Sequence, residues 1–121
     1  LGDERRAIAW VVKNAESFGG DPNRVYVTSH SSGAHLAGCA MTTDWAADFG
    51  LPSDAIKGAV LASGMYELYP VSLSLRSNYV NFTPEMIEKL SSIRHIDRIR
   101  APLIVAYGTL ETPEFLASQR L

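Results

Sequence analysis

Apolar residues recur at three- and four-residue intervals over positions 3–18, where Ala7, Ile8, Val11, Val12, Ala15 and Phe18 are interleaved with Glu4, Arg5, Arg6 and Lys13. This spacing predicts an amphipathic helix with one buried stripe. The stretch FGGDPNR at 18–24 ends it with two glycines and a proline turn. From there the pattern changes to short continuous apolar runs at 25–28, 56–62 and 102–107, the second closed by Ser63 and Gly64 and the third by Gly108. Unbroken runs of this length predict parallel strands covered on both faces, so the chain reads as α/β. A long excursion, 65–100, separates the second strand from the third. Within it, 84–90 predicts a short helix with Thr83 as cap and Pro84 in the first turn. Insertions above strand ends are where α/β enzymes build substrate pockets.

The most informative segment is VYVTSHSSGAHLAGCAMTTD at 25–44. A β-branched run meets a cramped turn of small residues carrying Ser31, and an alanine-rich helical stretch follows. A strand reversing into a helix this abruptly holds its central residue in a strained conformation and needs small neighbours two positions away on either side. Ser29 and Gly33 occupy those positions, giving SxSxG where the usual form is GxSxG. Such a nucleophile elbow lifts the Ser31 hydroxyl clear of the backbone. It also aims the Ser32 N–H, at the helix start, toward the same point as an oxyanion donor. The competing interpretation is a serine that only caps a helix, since serine is a favoured N-cap.

Composition narrows the setting. The chain has 121 residues, 46% apolar and 20% charged, with a formal net charge of −2, which suits one ordinary globular domain. Arg94, Arg98 and Arg100 are scattered and form no basic footprint, so nucleic acid and anionic membrane are not expected partners. The single cysteine, Cys39, permits no internal disulfide and fits a reducing, cytoplasmic location, with a core role expected. No apolar run approaches a membrane span and no signal-peptide pattern opens the sequence. Asn81, Phe82 and Thr83 form a sequon attributed to chance. Nothing in the sequence calls for a cofactor or a metal, and the oligomeric state is left open, a homo-oligomer included.

Three segments, FGGDPNRVYVTSHSSGAHLAG, GAVLASGMYELYPV and APLIVAYGTLETPEFLASQR, resemble an α/β-hydrolase, and more narrowly the arylformamidase (kynurenine formamidase) branch of the esterase and lipase family. The middle segment matches a family pattern of strand, Ser-Gly, aromatic and acidic residue at Ser63, Gly64, Tyr66 and Glu67. The last matches a strand, a triad acid and a Pro-Glu-Phe cluster at Glu111, Pro113, Glu114 and Phe115. The resemblance implies a three-layer α/β-hydrolase fold, here a central fragment with about three parallel strands flanked by helices. It also implies a serine hydrolase acting on an N-formyl aryl amide or a short acyl ester.

The family order is Ser, then Asp or Glu, then His. Ser31 takes the nucleophile's place and Glu111 the acid's, with Glu114 as rival; a glutamate where aspartate is usual must reach one methylene further. A solvated carboxylate at a helix start would look the same. His30, His35 and His95 all precede Glu111, so none fits the base, and each is given a structural or pocket-lining role. Trp45, Tyr66, Tyr69, Tyr79 and Phe82 are candidates for an aromatic pocket, with His30 beside them, although aromatics of this kind are more often core. The His-Gly-Gly loop that supplies a second oxyanion donor in family members is not in the sequence. We therefore read residues 1–121 as the central part of one larger hydrolase domain, catalytically incomplete alone. The alternatives are a general short-acyl carboxylesterase or lactonase, a non-catalytic α/β-hydrolase-like binding protein, and a flavodoxin-like module whose 28–33 turn would hold phosphate.

Overall fold

In the computed structural model, residues 2–78, 80–110 and 113 are described. The predicted first helix is α1, Gly2–Asn14, continued by a 3-10 turn, Ala15–Phe18, that stops where Gly19 turns left-handed at φ 85°. Strand β1, Tyr26–His30, runs two residues further than the apolar run suggested and leads into α2, Ser32–Met41. A five-residue helix, α3, Trp45–Phe49, precedes β2, Gly58–Ala62. The excursion carries α4 (Tyr69–Ser72), a 3-10 turn (Leu75–Asn78), α5 (Pro84–Leu90) and a 3-10 segment (Ser92–Arg98), and then β3, Leu103–Ala106, closes the order. Thr83 caps α5 as the sequence predicts, its hydroxyl accepting from the Met86 N–H at 3.1 Å.

The three strands form one parallel sheet in the order β1-β2-β3, with Val27 beside Ala59 and Ala59 beside Leu103. Parallel neighbours in register send the same alternation to the same side. Val27, Ala59, Leu61, Leu103 and Val105 therefore share the face on which α2 packs, with α1 and the 92–98 segment against α2. Ala34, Ala37 and Ala40 of α2 are buried, and their small side chains let the helix lie close to Ala59 and Leu61. Trp45 fills the far end of this core at 2% exposure, its Nε1 donating to the Ala40 carbonyl and its ring tilted against Phe49.

The opposite face departs from the expectation of strands covered on both sides. Tyr26, Val60 and Ile104 line up across it at 67%, 42% and 62% exposure. Apolar continuity in a strand reports what the residue requires of its environment, and here only one of the two required covers is built from the described residues. No helix among the described residues is long and apolar enough to cross a membrane.

One close approach fixes the path out of β2. Tyr66, 1% exposed, packs between Gly38 of α2 and Gly64, and a Cβ on Gly64 would lie 2.5 Å from the Tyr66 ring. The Ser-Gly-x-aromatic pattern is thus a packing device in which the glycine makes room for the ring two residues later. Gly64→Ala is expected to lower stability by roughly 1–3 kcal/mol in a denaturant melt of the intact protein, the range for overpacking. Combining it with Tyr66→Leu should cost less than the two changes summed, because both act on one contact.

Candidate active site

β1 and α2 meet at Ser31, whose φ of 58° and ψ of −123° fall in a region that side-chain-bearing residues rarely enter. Two backbone bonds hold it there: the Ser31 N–H donates to the Ala62 carbonyl at 2.9 Å, extending the β1-β2 ladder by one rung, and the Ser31 carbonyl accepts from the His35 N–H at 3.2 Å. Across the turn, a Cβ on Gly33 would stand 3.5 Å from the Ser29 Cβ, an ordinary contact. Two small residues face each other there.

This geometry tells against the capping interpretation of the serine. Ser31 is the N-cap residue of α2 by position, yet its hydroxyl makes no capping hydrogen bond and its backbone is not in the extended conformation that capping serines adopt. The hydroxyl stands at the carboxyl end of β1 with Ser32 opening the helix beside it. The first N–H groups of a helix lack intrahelical partners, and the helix dipole places partial positive charge there.

Next to it, β2 ends in a second strained serine. Ser63 has φ 51°, and its N–H donates to the Ala106 carbonyl at 2.8 Å, extending the β2-β3 ladder by one rung. Among the described residues, Ser31 and Ser63 are the two non-glycine positions with positive φ, and they lie on adjacent rungs of the same sheet edge. Sequence reasoning noticed Ser63 as a strand stop and as part of the Ser-Gly-x-aromatic pattern of the resemblance, without a conformational role. Its strain is set by the chain's turn toward Tyr66, which periodicity does not encode.

The histidines divide by position. His35, one helical turn beyond Ser31, is largely buried, and its Nδ1 lies 2.8 Å from the Met65 carbonyl. A carbonyl can only accept, so Nδ1 carries the proton. Burial holds the His35 pKa below its ordinary value, with the Met65 contact opposing in part. His95 is tied in the same way, its Nε2 lying 2.8 Å from the Glu88 carbonyl. His30 ends β1 on the face opposite α2 and is exposed.

Of the acidic residues in the resemblance, Glu67 is described, and both its oxygens are engaged by Arg94: Oε2 accepts from Nε at 2.9 Å and Oε1 from Nη2 at 2.7 Å. These bonds hold its carboxyl below the usual carboxylate range. Glu111, Glu114, Phe115 and Tyr79 lie outside the described residues. Tyr66 and Trp45 are core side chains in this structure, at 1% and 2% exposure, whereas Tyr69 is exposed. Cys39 is buried, its thiol directed at the Leu90 carbonyl at 3.4 Å, and burial pushes its pKa up to about 12, so it is no nucleophile.

Clefts formed by the described residues include two at the surface. One of about 490 Å³ is polar, with Arg5, Thr43, Asp48 and Arg100 in its wall, and one of about 430 Å³ runs along the bare sheet face past Tyr26, Val60 and Ile104. Neither is lined by Ser31. Among the described residues no cluster of His, Cys, Asp and Glu could hold a metal ion.

Two outcomes follow from this geometry. Ser31→Gly should stabilise the intact protein by about 1 kcal/mol or more, read from the denaturant midpoint, because glycine enters positive φ without the cost that serine bears. For His35, the folded-state pKa lies below the unfolded value, so its contribution to stability is full above the unfolded value of 6.5 and is lost as the pH falls below it. The urea midpoint should therefore fall between about pH 7 and about pH 5, and His35→Asn, which keeps a donor near Met65 but cannot titrate, should flatten that fall.

The comparisons with known proteins bear on the family and the fold. The sequence model of the carboxylesterase family matches residues 1–90. Kynurenine formamidase of Danio rerio is 30% identical over 116 residues, which is 92% of this chain and 38% of that protein. Esterase LipQ of Mycobacterium tuberculosis is 30% identical over 122 residues, covering 88% of this chain and 29% of its own length. The chain thus spans about a third of the length of these relatives. A crystal structure from Silicibacter sp. TM1040, described as a thioesterase, superposes with a TM-score of 0.73 at 20% identity, over 98% of this chain and 44% of that one, which shows the fold. The family model covers well over half of the chain, and on that match the chain belongs to the carboxylesterase family.

Proposed function

We propose that the intact protein is a serine hydrolase, with these 121 residues as the central part of its α/β-hydrolase domain, and that it cleaves a carboxylic ester or an N-formyl aryl amide through an acyl-enzyme. The observation that carries this reading is the Ser31 backbone, φ 58° and ψ −123°, supporting a hydroxyl that caps nothing. A strained conformation of this kind persists only where the surroundings over-determine it, and such positions cluster at functional sites.

Ser31 Oγ attacks the substrate carbonyl carbon, its proton passing to a histidine. The developing oxyanion is met by the Ser32 N–H at the start of α2. Collapse of the tetrahedral intermediate breaks the bond to the leaving alcohol or amine, which takes the proton back from the histidine. Water then repeats the sequence on the acyl group. Glu111 orients the histidine, with Glu114 as the alternative acid. The histidine and the second oxyanion donor are assigned to parts of the protein outside this sequence, since His35 and His95 are held by backbone carbonyls and His30 faces away from α2. The N-formyl aryl amide is favoured by the kynurenine formamidase relatives. The esterase relatives favour the second reading, a general short-acyl carboxylesterase. A small-molecule substrate and a reducing, cytoplasmic setting belong to the same proposal, the latter supported by one buried cysteine.

The test is to treat the intact protein with a fluorophosphonate and map the adduct, then to compare turnover of N-formylkynurenine and p-nitrophenyl acetate. Ser31 is expected to carry the adduct, and Ser31→Ala should abolish both labelling and turnover while leaving the circular dichroism unchanged. Turnover retained by Ser31→Ala would end the proposal. An unlabelled wild-type protein would favour a non-catalytic binding protein.

A further inference from the structure

Between β2 and α4 the backbone of residues 63–68 belongs to no regular element, yet the N–H groups at its two ends and two of the carbonyls between them are tied across to other parts of the molecule. The Ser63 N–H reaches β3. The Met65 carbonyl accepts from His35 on α2, and the Tyr66 carbonyl accepts from the Ile93 N–H at 3.1 Å. The Leu68 N–H donates to the hydroxyl of Ser91, itself fully buried, at 2.9 Å. This strap begins at the strained Ser63 on the rung beside Ser31, and its second tie is to the same helix that Ser31 opens.

Its far end is gathered on one carboxylate. Glu67 accepts from Arg94 Nε and Nη2, from the Ser91 hydroxyl at 3.3 Å and from the Tyr69 N–H at 3.1 Å. The planar guanidinium fork meets the two carboxylate oxygens together, which fixes direction as well as distance. Arg94 also reaches the more exposed Glu88 through Nη1 at 2.6 Å, so the same cation ties the strap to α5. A surface ion pair alone contributes little to stability. What sets Glu67 apart is that a cation, a buried hydroxyl and a backbone amide all converge on it, and that Ser91, the bridge, also holds the next residue of the strap.

We infer that Glu67 is a positioning residue of the Ser31 site: clamped by Arg94 and Ser91, it anchors the 63–68 strap and thereby fixes the strained Ser63 and the first turn of α2 against the nucleophile. The inference rests on Ser31 being the nucleophile. It gives Glu67 no proton to transfer and no contact with substrate. Its influence arrives through the strap, where a displacement of a fraction of an ångström beside a nucleophile is enough to lower the rate.

The experiment measures the rate constant for fluorophosphonate labelling of Ser31, and kcat and KM on p-nitrophenyl acetate, in the intact wild-type protein and in Glu67→Gln, Glu88→Gln and Arg94→Lys. Each is assayed well below its own unfolding temperature. Glu67→Gln is expected to lower labelling and kcat by tenfold or more with KM within about twofold, because removing the charge loosens the strap but touches no substrate contact. Glu88→Gln, which removes the other partner of the same arginine, should stay within about twofold of wild type. Arg94→Lys keeps a charge but loses the fork, and should lower labelling by about threefold or more; it carries the test if Glu67→Gln does not fold. Labelling at the wild-type rate by Glu67→Gln, or by Arg94→Lys where Glu67→Gln is unfolded, would overturn the inference, as would equal losses in the Glu67 and Glu88 variants. If the wild-type protein itself is not labelled, it is the assignment of Ser31 that fails.

Discussion

A single hydrogen bond, from the Ser31 N–H to the Ala62 carbonyl, sets the frame for the rest. It carries the β1-β2 ladder one residue past the point where the chain has begun to turn into α2, so the turn must be completed within that residue. Strand pairing on one side and the helical bond to His35 on the other leave Ser31 a conformation that no unconstrained serine would choose. The alanines of α2 follow from the same constraint. A helix that starts directly at the end of a strand must fold back close to the sheet, and Ala34, Ala37 and Ala40 allow that approach.

The sheet edge so formed is held from one side. α2, α1 and the 92–98 segment cover the face that carries Ala59, Leu61, Leu103 and Val105, and the strap at 63–68 binds that layer to the loop leaving β2. Tyr66 and Gly64 belong to this arrangement as packing partners, which gives the Ser-Gly-x-aromatic pattern a mechanical meaning independent of chemistry. The two strained serines stand where this assembly meets the carboxyl ends of the strands.

Much of this was legible in the residues because the signals were local. The three strands, the long first helix and the Thr83-capped α5 rest on periodicity and capping, both written within a few neighbouring positions. The elbow was legible because small residues at Ser29 and Gly33 are a steric requirement of the turn. Helix α3 was not, since five residues are too few to show a period and its cap, Asp44 accepting from the Ala47 N–H, stands amid other polar residues. The 92–98 segment breaks its own geometry at His95 and offers no repeat to read. Glu67 drew attention through the resemblance alone, because its partner Arg94 lies 27 residues away and only folding brings them together. The continuous runs also promised a cover on both faces, and Val60 and Ile104 show that such a run does not say where the second cover comes from.

Cys39 has a use that follows from its seclusion. Its thiol is the sole one in the chain, and it sits on α2 against the carbonyl that ends α5. In the closed molecule an alkylating reagent meets neither an accessible sulfur nor an appreciable fraction of thiolate. The rate at which such a reagent consumes Cys39 therefore counts the openings of the seam between these two helices, giving the molecule an internal clock for local unfolding on the side of the sheet that carries the helix after Ser31.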